Sequence, residues 1–260
     1  MKMNKLNRMV MAVLFTAATL TGLNAQEFKL DVSNPSGKTL ILKELNRVAV
    51  EAHDGNQVLM TSENHGDHPE RAQGLKPLSA RGEDNTGIGL NVTTSGNEVT
   101  VFQAARRSQG KYVIKVPKGM KVQIEHTGQH EGGKIEVSGL STELEISGRY
   151  NSVYLKNITG PALVNTIYGK IEADFASLSQ KGPTSLVSVY STVDVTLPTN
   201  TKANLLVKTP YGEAYSDLNI EFPKTEEMRK ISSAIEGTLN GGGVELELKA
   251  SYGNVYLRKK

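Results

Sequence analysis

The sequence predicts an all-β protein of the β-solenoid class, with about 20 residues and two strands in each coil. Three observations predict it: a tyrosine-centred unit that recurs about every 20 residues, alternation of apolar and polar residues within each unit, and small turn-forming residues between units. One coil alone cannot bury its apolar face, so such coils are stable only when they stack into a continuous core.

The repeat is marked by five tyrosines in the second half of the chain. Successive tyrosines are separated by 18, 22, 21 and 41 residues, and they are Tyr150, Tyr168, Tyr190, Tyr211 and Tyr252. We interpret the last spacing, close to two periods, as one repeat that is interrupted. The simplest role for this column is a structural ladder at one corner of the solenoid. The alternative is an aromatic strip that binds sugar rings or a partner strand.

Each position of the repeat has a physical interpretation. The residue after the tyrosine is Asn, Gly, Ser, Gly or Gly, which are types that tolerate left-handed backbone or a tight turn. Residues three and five positions after the tyrosine are mostly aliphatic and predict the buried face of a strand. The residue four positions after it then faces outward, and these residues are Tyr154, Glu172, Asp194, Tyr215 and Tyr256.

A half-period predicts two strands per coil. Strand starts can be placed near Gly133, Thr142, Ser152, Pro161 and Lys170. The first half is less regular, with strands expected at 28–32, 47–51, 57–60, 89–93, 99–102 and 112–116. Residues 61–87 predict a long polar loop. We therefore expect an N-terminal β region, 26–110, continuous with a repetitive solenoid, 111–260. Residues 225–236 fit a short helix that ends at Gly237 and an irregular crossover equally well.

The first 25 residues have the pattern of a cleaved signal peptide: a basic start, a 12-residue apolar stretch and a small residue, Ala25, before Gln26. We expect an exported protein, in the periplasm or at the cell surface, with no membrane span after removal of the signal. Without this segment the chain carries 27 basic and 27 acidic residues. That balance argues against a nucleic-acid partner. The absence of cysteine excludes disulfides, thiolate metal sites and cysteine nucleophiles.

The repeat units resemble those of the DUF4097 family, bacterial β-strand-repeat proteins that carry the name adhesin. The resemblance rests on the run from Tyr168 to Ala173, the run from Tyr252 to Leu257, and the closing stretch 239–257. Residues 74–78 and 84–90 resemble versions from the Bacteroidetes branch. The resemblance implies an exported or cell-surface β-solenoid, and it implies no catalytic residue.

Candidate chemistry is sparse. Residues 63–70 hold two histidines and three acidic residues, but Pro69 and the missing helix favour a solvated loop over a metal site. His126 and His130 are expected near a turn, and His53 is expected in a hairpin turn. Glu172 and Asp194 occupy the same repeat position and are the one carboxylate pair that could serve glycoside cleavage. No nucleophile motif or phosphate-binding loop is present.

These observations lead to a function hypothesis without catalytic, metal or cofactor sites. We expect an adhesin-like binding or scaffold protein of the cell envelope, with an envelope protein or glycan as partner. The outward Tyr154, Tyr215 and Tyr256 are candidates for ligand contact. The alternatives are a carbohydrate-active enzyme on a β-helix frame and an envelope-sensing partner of a membrane regulator. A monomer is expected, because the charged residues 258–260 would discourage strand pairing at one end of the stack.

Overall fold

A computed structural model describes residues 27–63, 70–75, 78–79, 82–104, 110–128, 132–223 and 234–260. These residues form two ten-stranded sheets and a two-stranded hairpin, which confirms the all-β class. The predicted signal peptide, His65, His68, His130 and most of 225–236 lie outside the described residues. Within the described part of the chain, no helix is long and apolar enough to cross a membrane.

Successive strands alternate between the two large sheets along most of the chain. In spatial order, the first sheet contains β1 (Glu27–Asp31), β4 (Gln57–Glu63), β9 (Lys111–Pro117), β3 (Arg47–His53), β11 (Lys134–Ser138), β13 (Ser152–Ile158), β15 (Ile171–Phe175), β17 (Val193–Leu197), β22 (Val255–Lys259) and β19 (Ala214–Ser216). The second contains β20 (Ala234–Leu239), β18 (Ala203–Lys208), β21 (Val244–Ala250), β16 (Thr184–Ser188), β14 (Ala162–Thr166), β12 (Leu144–Gly148), β10 (Lys121–His126), β2 (Thr39–Lys43), β8 (Glu98–Gln103) and β7 (Leu90–Ser95).

In the middle of both sheets, each strand pairs in parallel with the strand two positions along the chain. Lys134 lies opposite Ser152, Val153 opposite Ile171, and Ile171 opposite Val193. Inward residues from both sheets meet in one apolar core, in which Val153, Ile171 and Val193 are fully buried. Burial of each such side chain contributes about 1.5–3 kcal/mol. The alternation that predicted these strands thus corresponds to one buried face per strand.

The order of strands changes toward the β19 end. β22 pairs with β17 on one side and with β19 on the other, and β21 lies between β16 and β18. The spacing of 41 residues between Tyr211 and Tyr252 therefore does not mark a gap in the stack. Strands β21 and β22 are inserted inside the earlier pair β18 and β19. The expectation that residues 258–260 shield an exposed edge is also wrong, since β22 is internal.

A similar insertion occurs at the opposite end. β3 lies between β9 and β11, and β2 lies between β8 and β10. Because β9 separates β3 from β4, the turn at His53 joins two strands that do not pair, and the predicted hairpin there is wrong. His53 still closes the turn: its ring accepts from the Gly55 amide and lies 2.8 Å from the Gln57 carbonyl oxygen.

Two segments differ from the predicted irregular structure. β4 extends to Glu63, and the described part of 61–87 includes a 3₁₀ turn (Glu70–Ala72) and the hairpin β5 (Leu78–Ser79) with β6 (Gly82–Glu83). Ile235 and Gly237 belong to β20, which runs antiparallel to β18. Gly237 is therefore part of a strand and does not end a helix, because the backbone there is paired with Leu205.

Candidate binding surface

The five repeat tyrosines lie in one column at the turns that lead into strands of the first sheet. Neighbouring layers are joined here by a repeated backbone bond, in which the amide of one repeat tyrosine donates to the carbonyl of the residue just before the next tyrosine in the column. These bonds join Tyr168 to Arg149, Tyr190 to Ile167, Tyr252 to Val189 and Tyr211 to Ser251, over 2.8–3.1 Å. Since the same bond recurs in each layer, it places each ring directly over the next.

The rings form a continuous stack in the order Tyr150, Tyr168, Tyr190, Tyr252, Tyr211. Neighbouring centroids are 4.8, 5.0, 5.0 and 4.7 Å apart, and the interplanar angles are between 5° and 9°. The centroid spacing equals the distance between hydrogen-bonded strands, so backbone pairing and ring stacking reinforce each other. We call this column the tyrosine ladder.

The small residues after the tyrosines have a different role from the one predicted. Gly169, Gly212 and Gly253 have no left-handed backbone. A Cβ at these positions would lie 1.8 Å from the Asn151 carbonyl oxygen, 2.0 Å from that of Gly253 and 2.2 Å from that of Ser191, respectively. Close approach of backbone in adjacent layers, and not a positive φ, is the reason for glycine here.

Ring edges, and not ring faces, form the exposed side of the ladder. Tyr168, Tyr190 and Tyr252 are 47–54% exposed although their faces are covered by neighbouring rings. The two ends of the ladder differ. The guanidinium of Arg149 lies over the ring of Tyr150 at 5.5 Å, whereas Tyr211 stacks on Tyr252 alone and is 73% exposed. Arg149 directly precedes Tyr150, and nothing in the sequence pattern singled it out.

The predicted outward residues form a second column on the outer face of the first sheet. The register places them in the order Glu136, Tyr154, Glu172, Asp194, Tyr256, Tyr215. Tyr154 lies between the amines of Lys134 and Lys170, at 4.8 and 5.2 Å from its centroid. Tyr215 and Tyr256 stack at 5.5 Å. The three candidate tyrosines are therefore not contiguous, because the carboxylates of Glu172 and Asp194 separate them.

The carboxylate pair lies one layer apart, in matched register, and each member is bound to a cation. Lys170 donates to Glu172, and Arg258 donates two 2.8 Å bonds to Asp194. The hydrogen bond from Lys170 to Glu172 raises the pKa of the lysine, although its slight burial opposes this. The pair of Arg258 and Asp194 links two layers, whereas the pair of Lys170 and Glu172 lies within one layer. Each carboxylate is therefore engaged in an ion pair on the outer face of the sheet.

The predicted histidine sites are only partly described. His126 is buried at the end of β10 and not in a turn, and no group of three or more metal-ligating side chains lies together within the described ranges. A shallow groove of about 340 Å³ crosses the outer face of the second sheet, and exposed Leu163 lies at its side. A second groove of about 530 Å³ lies beside Phe222 and β20.

An acidic turn that the pattern analysis did not identify holds the start of β7. The buried Asp84 carboxylate accepts bonds from the amides of Thr86, Gly87 and Gly89 and from the Thr86 hydroxyl, each at 2.9 Å. Burial raises the pKa of Asp84, but these bonds outweigh it and the pKa is lowered overall. The turn has a structural role: it fixes the chain where the β7 end of the second sheet begins.

Comparisons with known proteins return structural similarity alone. No family model matches the chain, and no curated protein matches it. A crystal structure of a "putative cell adhesion protein" from Clostridium sporogenes is 12% identical, with a TM-score of 0.48, over 90% of this chain and 99% of the other. A "putative adhesin" from Bacteroides fragilis is 10% identical, with a TM-score of 0.39, over 90% and 96%.

Proposed function

We propose that this chain is an exported binding or scaffold module of the bacterial cell envelope, in the periplasm or at the cell surface, which acts without turnover of a substrate. Its frame is a β-solenoid whose coils contain about 20 residues. Its ligand is an envelope protein or a glycan, and the protein acts as a monomer. Export rests on the signal pattern of the first 25 residues.

The observation that carries the proposal is the exposed side of the tyrosine ladder. Three neighbouring tyrosines are each about half exposed, and their rings lie about 5 Å apart. Each tyrosine combines a large apolar body with a hydroxyl that can donate and accept. A row of such groups on a hydrogen-bonded sheet is rigid before a ligand arrives, and little conformational entropy is lost on binding.

The ion pairs of the outer column support a role without catalysis. A general acid or nucleophile must be free to approach the reacting atoms. Glu172 and Asp194 instead hold Lys170 and Arg258. An enzyme is therefore the less favoured function.

A capture experiment tests the proposal. The full chain, checked for its folded state by circular dichroism, is immobilised and exposed to cell-envelope extract and to a glycan array. We expect a saturable ligand whose binding falls at least fivefold when Tyr168, Tyr190 and Tyr252 are all replaced by phenylalanine. That variant keeps the stacked rings and removes only the hydroxyls. Leu163→Ser, on the other sheet, is the matched control and should bind as the wild type does.

Three results would count against the proposal. Folded protein that captures neither protein nor glycan would argue against a binding module. Turnover of a polysaccharide that disappears in Glu172→Ala or Asp194→Ala would instead support the enzyme. Equal binding by the wild type and the triple phenylalanine variant would show that the ligand contacts a surface other than the ladder.

A further inference from the structure

The edge strand β19 ends the first sheet, and β19 with the turn before it carries the last ring of both aromatic columns. Tyr211 ends the tyrosine ladder and Tyr215 ends the outer column, and both rings lie parallel to their inner neighbours within 12°. Tyr211 is 73% and Tyr215 is 48% exposed. Their outer ring faces therefore point in one direction, away from the stack and past the edge of β19.

Among the described strands, none pairs with the outer side of β19. Glu213 accepts from the Val255 amide, and Asp217 donates to the Leu257 carbonyl, so the odd-numbered residues pair with β22. In a parallel ladder, the amides and carbonyls of intervening residues point the other way. Those of Ala214 and Ser216 thus face the outside of the sheet. An open edge of this kind is a template for an added strand.

The protein itself shows which groups cover a tyrosine face. Cations lie over three of its rings: Arg149 over Tyr150, Lys134 and Lys170 over Tyr154, and Arg258 over Tyr256, at 4.8–5.5 Å. Among the described residues, no cation lies over Tyr211 or Tyr215. A positive charge over the ring of tyrosine is attracted by the negative face of the ring.

The charge around β19 favours a cationic occupant. Residues 210–223 contain Glu213, Asp217 and Glu221 and no basic residue. On neighbouring β22, Arg258 is bound to Asp194, and the backbone amide of Lys259 donates a 2.7 Å bond to Asp217, so the cationic site depends on the carboxylate of Glu213. Glu213 lies between the two tyrosines in the sequence, and it accepts a 2.8 Å bond from the Tyr215 hydroxyl. A carboxylate beside aromatic faces favours the cationic side chains of Lys and Arg.

We propose that the open edge of β19 binds a basic, extended segment of a partner protein, which adds to the sheet as a strand and places Lys or Arg side chains over Tyr211 and Tyr215. Both tyrosines end their columns on the same side of the stack, so the partner carries its cations on one face of its strand, at positions that reach each ring. A basic residue midway between them pairs with Glu213. This inference deepens the proposed binding function and rests on it, but it concerns the end of the stack and not the side of the ladder.

A peptide titration tests the inference. The probe is a fluorescent ten-residue peptide of alternating Thr and Val in which three successive positions on one face are arginine, and a matched peptide carries citrulline at the same places. We expect the arginine peptide to bind at least tenfold more tightly, with affinity that falls as salt rises. Tyr215→Ala and Glu213→Gln should each weaken it at least threefold. Asp54→Asn, the same loss of charge at an exposed distant turn, should leave binding unchanged.

Strand addition is tested separately from charge. Ala214→Pro removes an outward amide without removing a bond to β22, and it should reduce binding at least tenfold. If this variant loses its native circular dichroism, a peptide that is N-methylated on alternate residues provides the same test on unaltered protein. Hydrogen exchange of the Ala214 and Ser216 amides should slow when the arginine peptide binds.

Each alternative result has a definite meaning. Equal affinity for the citrulline peptide would overturn the cationic site. Full binding by Ala214→Pro or by the N-methylated peptide would overturn strand addition. Absence of peptide binding together with ligand capture in the envelope experiment would reject this inference alone, whereas failure of both would also reject the proposed function.

Discussion

The middle of the two sheets and their ends are built by different rules. In the middle, β11, β13, β15 and β17 pair in the order in which they occur in the chain. At the ends, one pair of strands separates another pair from the middle of the sheets. β2 and β3 separate β8 and β9 from the middle strands at one end, and β21 and β22 separate β18 and β19 from them at the other. Sequence spacing therefore gives spatial order in the middle only, because consecutive repeats are neighbours there and nowhere else.

The largest expected effect tests whether the inserted strands are as integral as the middle ones. Leu248 in β21 and Leu186 in β16 lie opposite each other and are both fully buried. Leu248→Ala and Leu186→Ala should each lower the free energy of unfolding by about 2–5 kcal/mol, since each leaves a cavity in one shared core. Urea denaturation followed by circular dichroism measures both. A Leu248→Ala variant as stable as the wild type would show that the inserted strands contribute less to stability than the middle ones do.

The second effect concerns the contact between layers at the tyrosine turns. Gly169→Ala places a methyl group 1.8 Å from the Asn151 carbonyl oxygen, which only a backbone shift can relieve. We expect a loss of about 3 kcal/mol, in line with severe overpacking. Ser191→Ala is the matched control, since Ser191 follows Tyr190 and already carries a Cβ. Thermal denaturation should show a lower melting temperature for Gly169→Ala and an unchanged one for Ser191→Ala. Equal melting temperatures for the two variants would show that the layers are not in close contact.

The third effect belongs to the irregular end of the second sheet. Asp84→Asn should lower the free energy of unfolding by about 1–3 kcal/mol, because an amide cannot accept all the bonds that the buried carboxylate accepts. The lowered pKa of Asp84 stabilises the folded protein above the unfolded-state pKa of about 3.9, and this contribution is lost as pH falls through the folded pKa.

Denaturation at several pH values measures this contribution. The wild type should lose stability relative to Asp84→Asn as the solution becomes acidic, so the two curves converge at low pH. A constant difference between pH 7 and pH 2 would contradict the assignment. Glu98→Gln, at an exposed position of β8, controls for general charge effects.

The smallest effect compares the interior of the tyrosine ladder with its open end. Tyr190 stacks on two rings and Tyr211 on one. With about 0.5–1.5 kcal/mol for each stacked pair, Tyr190→Leu should cost about twice as much as Tyr211→Leu. Chemical denaturation resolves the difference, and an equal cost at both sites would show that stacking contributes little beyond burial.

The sequence predicted the regular part of the fold because period-two alternation directly reports one buried face. The strands predicted to start near Ser152, Pro161 and Lys170 begin at Ser152, Ala162 and Ile171. Insertion could not be predicted in this way, because the pairing of β3 with β11 joins residues 87 positions apart, Arg47 and Lys134, and no local pattern encodes that choice.

The candidate surface was predicted only in outline. The five tyrosines were identified by their spacing, and the structure adds their order, with Tyr252 between Tyr190 and Tyr211. Tyr154 was grouped with Tyr215 and Tyr256 because all three occupy one repeat position. The two lysines that cover Tyr154 come from adjacent layers, so their position depends on register and not on the repeat itself.

The insertion of β21 and β22 also restricts the order in which the molecule can assemble. A ribosome makes β18 and β19 before it makes the strands that separate them from β16 and β17. β18 and β19 therefore cannot take their final positions in the sheets until synthesis has passed Lys259. The two sheets thus close last at this end, when β21 and β22 take their places between the middle strands and the outer pair.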